Sequence, residues 1–220
     1  MHGLRVDIFR RGTVKQTFGP YHHKGPDDFV TLNENQRVAL ETVTSYLKEL
    51  EDARLHGRGV LFLGPTGVGK TLLASIILND ATERGYRVEA IELAEYVALH
   101  KEQFSLAQLM KRTDDDTFVD QYVKVHHHVR YIRGNTKHCA DWVLFDDVGR
   151  EFPSDSGWSQ GEFYDTLRFR WNRQLPTLLT TNLTMYELMA RYTDGFTSLL
   201  MESSEIILIE GDDYRCRKAS

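Results

Sequence analysis

Two rhythms of apolar and polar residues run along this chain. In "TLNENQRVALETVTSYLKELEDAR", residues 31–54, Val38, Val43, Tyr46, Leu47 and Leu50 fall near helical spacing, with Asn33 or Asn35 placed to cap the helix. "GVLFLG", residues 59–64, is a short unbroken apolar run of the kind that forms a strand buried on both faces. The pattern then predicts a helix from Lys70 to about Glu83, a strand in "YRVEAIEL" and a helix in "AEYVALHKEQFSLAQLMKR". "WVLFD" at 142–146 predicts a third strand and "SQGEFYDTLRFRWNRQL" a helix. "TLLTT" at 177–181 follows as a fourth strand, then the short helix "MYELMARYT" and another around Phe196 to Glu202. "EIILIEG" is the last strand. Strands alternating with helices predict an α/β domain whose parallel sheet is covered on both sides. Residues 113–140 break the rhythm with "DDD", "HHH" and a polar end, and read as an insertion of one or two helices after the second strand.

Composition narrows the class. The length of 220 residues suits one domain with a real core. Two cysteines, Cys139 and Cys216, are too few for a disulfide framework, so a reducing compartment is expected. No apolar run approaches membrane-spanning length, and the first residues lack the apolar stretch of a signal peptide. No membrane partner is expected, and the cytoplasm of a bacterial cell or phage-infected host is the expected location. The net charge of −5 does not announce a nucleic-acid binder. Residues 1–24 differ: Arg5, Arg10, Arg11, Lys15 and Lys24 stand against Asp7 alone. Residues 1–28 therefore read either as a solvated tail or as a basic arm for DNA or an acidic partner. The remaining residues, 29–220, read as one domain.

"GPTGVGKT", residues 64–71, matches the phosphate-binding (Walker A) pattern G-x-x-x-x-G-K-[ST] in full, with a strand before it and a helix after it. A loop that wraps phosphate oxygens with inward backbone N–H groups has no room for side chains at Gly64, Gly67 and Gly69. Pro65, Thr66 and Val68 complete the wrap. The helix that starts at Lys70 adds its positive dipole end. Lys70 is placed to reach the β- and γ-phosphates, and the Thr71 hydroxyl to ligate Mg²⁺. ATP and Mg²⁺ are the expected cofactors.

Such a loop needs an acid on a neighbouring strand. "WVLFDDVG" supplies two. Asp146 is assigned to Mg²⁺, held through water. Asp147 is assigned to the attacking water, one methylene shorter than the glutamate many hydrolytic proteins use there. Alone, the pair would read as turn-forming acids after a core strand. "PTLLTTNLT" ends in Thr181 and Asn182; a neutral polar group there can sense the γ-phosphate, or simply form a turn.

Taken together, "GPTGVGKT", "VLFDDVG", "LPTLLTTNL" and "EGDDYRCRK" resemble, in order and spacing, the DnaC/IstB-type AAA+ ATPases over about residues 29–218. These include bacterial and phage replicative-helicase loaders and transposition helper proteins. The resemblance implies a P-loop NTPase of AAA+ type. Its fold would be a three-layer sandwich with a parallel five-stranded sheet in order 5-1-4-3-2 and no C-terminal helical lid. By position, Arg215 in "DDYR" matches the second sensor arginine. Arg170, in "RWNRQLPT", matches a stretch that could contact DNA or an interface. The implied partners are a hexameric replicative helicase and single-stranded DNA, with self-assembly or assembly templated by the helicase.

Two departures matter. The family carries Ser-Arg-Leu before its last strand, and that arginine reaches a neighbour's ATP site. Here the stretch reads Ser198-Leu199-Leu200, and Arg191 is the nearest arginine, several residues early. An arginine finger is worth orders of magnitude in rate, so slow, partner-stimulated ATP hydrolysis is expected. Larger loaders also carry a separate N-terminal domain, where this chain has about 30 residues. That suits a compact phage-type loader.

Other signals are weaker. The His126–His128 run with His138 and Cys139 matches no standard zinc spacing. Tyr122, Lys124, Arg130, Tyr131, Arg133 and Lys137 interleave bases with aromatics, as in single-strand DNA contacts, or form an ordinary helix face. Cys216 reads as a bystander. Three functions stay open: helicase loading on single-stranded DNA with ATP as the switch, a transposition or DNA-targeting ATPase, and a small-molecule kinase. The Thr-Asn strand end and the "DDYR" tail fit the kinase reading poorly.

Overall fold

A computed structural model describes residues 19–112, 116–150 and 157–214. Most of the basic arm (residues 1–18) and Arg215 and Cys216 lie outside the described residues.

The first helical pattern folds as two helices, α1 (Glu34–Lys48) and α2 (Leu50–His56). The Asn33 side chain caps α1 by accepting from Gln36 N–H at 2.8 Å. Glu49, with φ −101° and ψ 17°, breaks the helix between them. The rest follows as β1 (Gly59–Leu63), α3 (Lys70–Glu83), β2 (Val88–Glu92), α4 (Leu93–Met110), α5 (Asp116–Arg133), β3 (Trp142–Val148), α6 (Trp158–Asn172), β4 (Thr177–Thr181), α7 (Met185–Arg191), α8 (Asp194–Ser203) and β5 (Ser204–Leu208). The strands form one sheet in the order β2-β3-β4-β1-β5, the expected order read from its other edge, and all its pairings are parallel. Among the described residues no α-helix follows β5.

Each face of the sheet carries its own core. One cluster joins Val43, Tyr46 and Leu50 of α1 and α2 to Leu73, Ile76 and Ile77 of α3, over Val60, Phe62 and Trp142. The other joins Tyr96, Phe163, Phe196 and Leu200 over Leu61, Val143 and Phe145. β1 is buried at all five positions, which is why its sequence does not alternate. Burying each large side chain contributes about 1.5–3 kcal/mol. Residues 113–140, read as an insertion, contain α5, which packs on α4 and brings Val129, Tyr131 and Ile132 into the core.

Strand β3 is irregular at its end. Its register with β4 shifts between Phe145 and Val148, and Asp147 takes φ +54°. A left-handed residue is uncommon outside glycine, and aspartate is among the residues that tolerate it. Adjacent strand residues normally point to opposite faces. The bulge cancels that alternation, so both Asp146 and Asp147 line one cavity.

Candidate nucleotide site

The cavity, about 620 Å³, opens where β1, β3 and β4 end. The loop 64–69 forms its floor. Gly64, Gly67 and Gly69 have φ of 147°, 81° and 101°, a backbone region that side chains rarely adopt. A Cβ on Gly64 would lie 2.0 Å from the Ile209 carbonyl oxygen, and one on Gly69 would lie 2.5 Å from the Phe29 ring.

Lys70 starts α3 and is buried. Its ammonium donates to Gly64 O at 2.8 Å, to Pro65 O at 2.7 Å and to Asn182 Oδ1 at 2.7 Å. The lysine thus ties the loop to the end of β4. Thr71 Oγ1 donates to Asp146 at 3.0 Å, and Thr180 Oγ1 donates to the same carboxylate. Burial pushes the Asp146 carboxyl up; the Thr180 and Thr71 hydroxyls oppose this, while the Asp147 charge adds to it. Asp147 accepts from Arg150 Nη1 at 2.8 Å, and its backbone N–H donates to Thr180 Oγ1 at 3.0 Å.

The donor set fits Mg²⁺. Hard oxygen donors, one carboxylate and one hydroxyl, suit an ion that keeps waters and borrows phosphate oxygens. Among the described residues no group of three His, Cys, Asp or Glu could hold a metal. In the histidine run, His126 stacks on Tyr122 and contacts Gln103 at 3.0 Å, and His128 pairs with buried Glu89 at 3.0 Å.

The structure brings Lys70, Thr71, Asp146, Asp147 and Asn182 into one cavity. It separates Thr181, which is buried and donates to Val148 O at 2.6 Å. The residue on Asp146 is Thr180, which the sequence reading passed over. Strand alternation carried the signal: positions 180 and 182 share a face, and 181 does not.

Two expectations are corrected. Arg170 cannot contact DNA or a partner, because it is fully buried and donates to Thr177 Oγ1 and to the carbonyls of Ile132, Ala140, Asp141 and Pro176. Burial pulls its pKa down to about 10, so it stays charged at neutral pH. Tyr131 is also buried and cannot stack on a base, whereas Lys124 and Lys137 are exposed. Leu199 and Leu200, at the arginine-finger position, pack in the core; Arg191 ends α7.

An aromatic wall was also missed. Tyr21, Phe29 and Tyr214 line the cavity. Tyr214 N–H donates to Gly67 O at 3.1 Å, and its hydroxyl donates to Val30 O and to Gln36 Oε1. Asn79, in α3, donates to Tyr21 O and Lys24 O at 2.9 Å each. Only residues distant in sequence make this wall, so no local motif announces it.

Residues 60–163 match the model of the ATPase family associated with various cellular activities (AAA). Over 166 residues the chain is 26% identical to the replicative helicase loader DnaI of Bacillus subtilis, covering 74% of this chain and 46% of that protein. Over 104 residues it is 36% identical to the proteasome-activating nucleotidase of Methanopyrus kandleri, covering 43% of this chain and 23% of that protein. The chain thus spans less than half the length of either relative. Among solved structures it resembles the DnaC helicase loader, with a TM-score of 0.64 at 23% identity, covering 86% of this chain and 98% of that one. It also resembles DnaI, with a TM-score of 0.62 at 20% identity, covering 87% and 93%. These likenesses show that the fold is shared.

Proposed function

We propose that this chain is an ATPase that loads or remodels a hexameric replicative helicase on single-stranded DNA, with ATP as the conformational switch. The observation that carries the reading is the Lys70–Asn182 contact beside the Asp146–Thr71 pair. Asn182 and Asp146 meet at one phosphate loop, as a γ-phosphate sensor and a metal acid would, in a chain similar over most of its length to a helicase loader.

In this reading the loop N–H groups and Lys70 hold the phosphates. Thr71 and Asp146 hold Mg²⁺, which when bound neutralises charge on the β- and γ-oxygens. Asp147 orients the attacking water. Asn182 exchanges its bond to Lys70 for one to the γ-phosphate, so the end of β4 registers whether that phosphate is present. Phe29 and Tyr214 close the base side. Arg215 reports phosphate number from the tail, and the basic arm, together with exposed Lys124 and Lys137 of the α5 region, meets DNA or the helicase. The protein acts in the cytoplasm of a bacterium or phage-infected host, as a self-assembly or in an assembly templated by the helicase.

The test is capture of a purified hexameric replicative helicase by the full chain with ATP, with ADP and with no nucleotide. Capture should depend on ATP and vanish with Lys70→Ala. Capture indifferent to nucleotide and to Lys70→Ala, or no capture alongside ATP-dependent coating of duplex DNA, would refute the loader reading.

A further inference from the structure

We propose that Arg150 is a catalytic residue: on ATP binding its guanidinium leaves Asp147 and contacts the γ-phosphate within the same chain. The proposal rests on the ATPase reading above and deepens it.

Arg150 and Lys70 are the two cationic side chains lining the cavity among the described residues. The base of Arg150 is anchored. Gly149, at φ 96°, holds a left-handed turn against the Leu183 side chain. Arg150 N–H then donates to Asp147 O at 3.1 Å. The head is far less constrained: the side chain is 69% exposed and its bond to Asp147 spans three residues. Exposed ion pairs of this kind are weak. A polyphosphate carries more charge than one carboxylate and accepts a guanidinium in two parallel bonds. The phosphate therefore competes successfully for Arg150. The position where the family resemblance places a neighbour's arginine holds Leu199 and Leu200, both in the core. Arg150 supplies in cis the charge that Leu199 and Leu200 cannot.

One movement then has two consequences. Asp147 is released to hold water at the moment the γ-phosphate gains its cation. In the reaction the water oxygen forms a bond to Pγ as the bond from Pγ to the bridging oxygen breaks. The electron pair of that bond stays on ADP, and both water protons leave with inorganic phosphate, as H2PO4−. The guanidinium neither gains nor loses a proton.

The experiment compares the full chain with Arg150→Ala and Arg150→Lys. It measures affinity for ADP and for a non-hydrolysable ATP analogue by fluorescence titration, and single-turnover hydrolysis. Arg150→Ala should bind ADP within about twofold of the parent, bind the analogue about tenfold more weakly and hydrolyse ATP at least about tenfold more slowly. Arg150→Lys should recover analogue binding better than turnover, because a point charge replaces a planar fork. An unchanged preference for the analogue over ADP, with turnover unchanged or faster, overturns the proposal and leaves Arg150 as a restraint on Asp147. If the parent chain binds neither nucleotide, the ATPase reading fails and this proposal falls with it.

Discussion

Strand β3 has an aspartate at each end, and the two are built differently. Asp141, just before the strand, accepts from the Arg87 backbone at 3.0 Å, from the Arg87 guanidinium at 3.0 and 2.9 Å, and from Arg54 at 3.3 Å. Burial acts to raise its carboxyl, but the Arg87 hydrogen bonds and the Arg87 and Arg54 charges prevail and hold it below the usual carboxylate range. Asp146 has hydroxyl partners and an acid beside it, and burial pushes it up. Both are acids at the margin of an apolar strand, so position alone does not tell them apart. The difference lies in what completes them. Asp141 is neutralised within the fold by two arginines, whereas Asp146 meets two neutral hydroxyls and a second acid. Arg170 extends the contrast: it stitches the strand starts together with five acceptors, while the strand ends stay open around a cavity.

The comparison can be broken at several points. Arg170→Ala removes a donor from each of those acceptors and opens a void, and should cost about 3–5 kcal/mol in denaturant unfolding. An unchanged unfolding midpoint would deny the strand starts a structural role. At the open end, Lys70→Ala should weaken ATP binding at least about 100-fold, or about 2.7 kcal/mol, while shifting nucleotide-free stability by less than about 1 kcal/mol. Calorimetric titration and thermal unfolding read the two quantities separately.

The aspartates themselves should respond with opposite signs. Asp141→Asn should destabilise by about 1–3 kcal/mol and leave ATP affinity unchanged. Asp146→Asn should stabilise the nucleotide-free protein by about 1 kcal/mol, raising Tm by about 2–4 °C, while abolishing Mg²⁺-dependent hydrolysis. A fall in Tm for Asp146→Asn would show that its carboxylate is already compensated.

The smallest effect is in pH. Asp141 has a depressed folded pKa, so its contribution is present above the unfolded value near 3.8 and is lost as pH falls through the folded value. Asp146 has a raised folded pKa, so its penalty is full above that value and fades as pH falls towards 3.8. Unfolding free energies measured from pH 7 to pH 3 should therefore show the two variants approaching the parent from opposite sides. Parallel curves would remove the distinction.

The residues legible in advance were those whose chemistry is local. The loop 64–71 is contiguous, and its glycines answer to backbone sterics that any eight-residue reading contains. Asp146 and Asn182 were legible because each closes an apolar strand of a parallel sheet. Arg170 was misread for a physical reason: an arginine is expected at the surface unless the carbonyls of three other segments are known to surround it. Tyr131 was misread in the same way, since α5 turns one face into the core.

Local order along the chain determined the alternation of strands and helices, the phosphate loop and the acid pair, because each depends on a few successive residues and their backbone preferences. Only the tertiary structure decided that Thr180 rather than Thr181 holds Asp146, that a left-handed Asp147 brings two adjacent acids into one cavity, and that Phe29 and Tyr214 close it from opposite ends of the chain. These depend on the register between strands and on contacts between residues far apart in sequence. Packing sets both, and no short stretch encodes them.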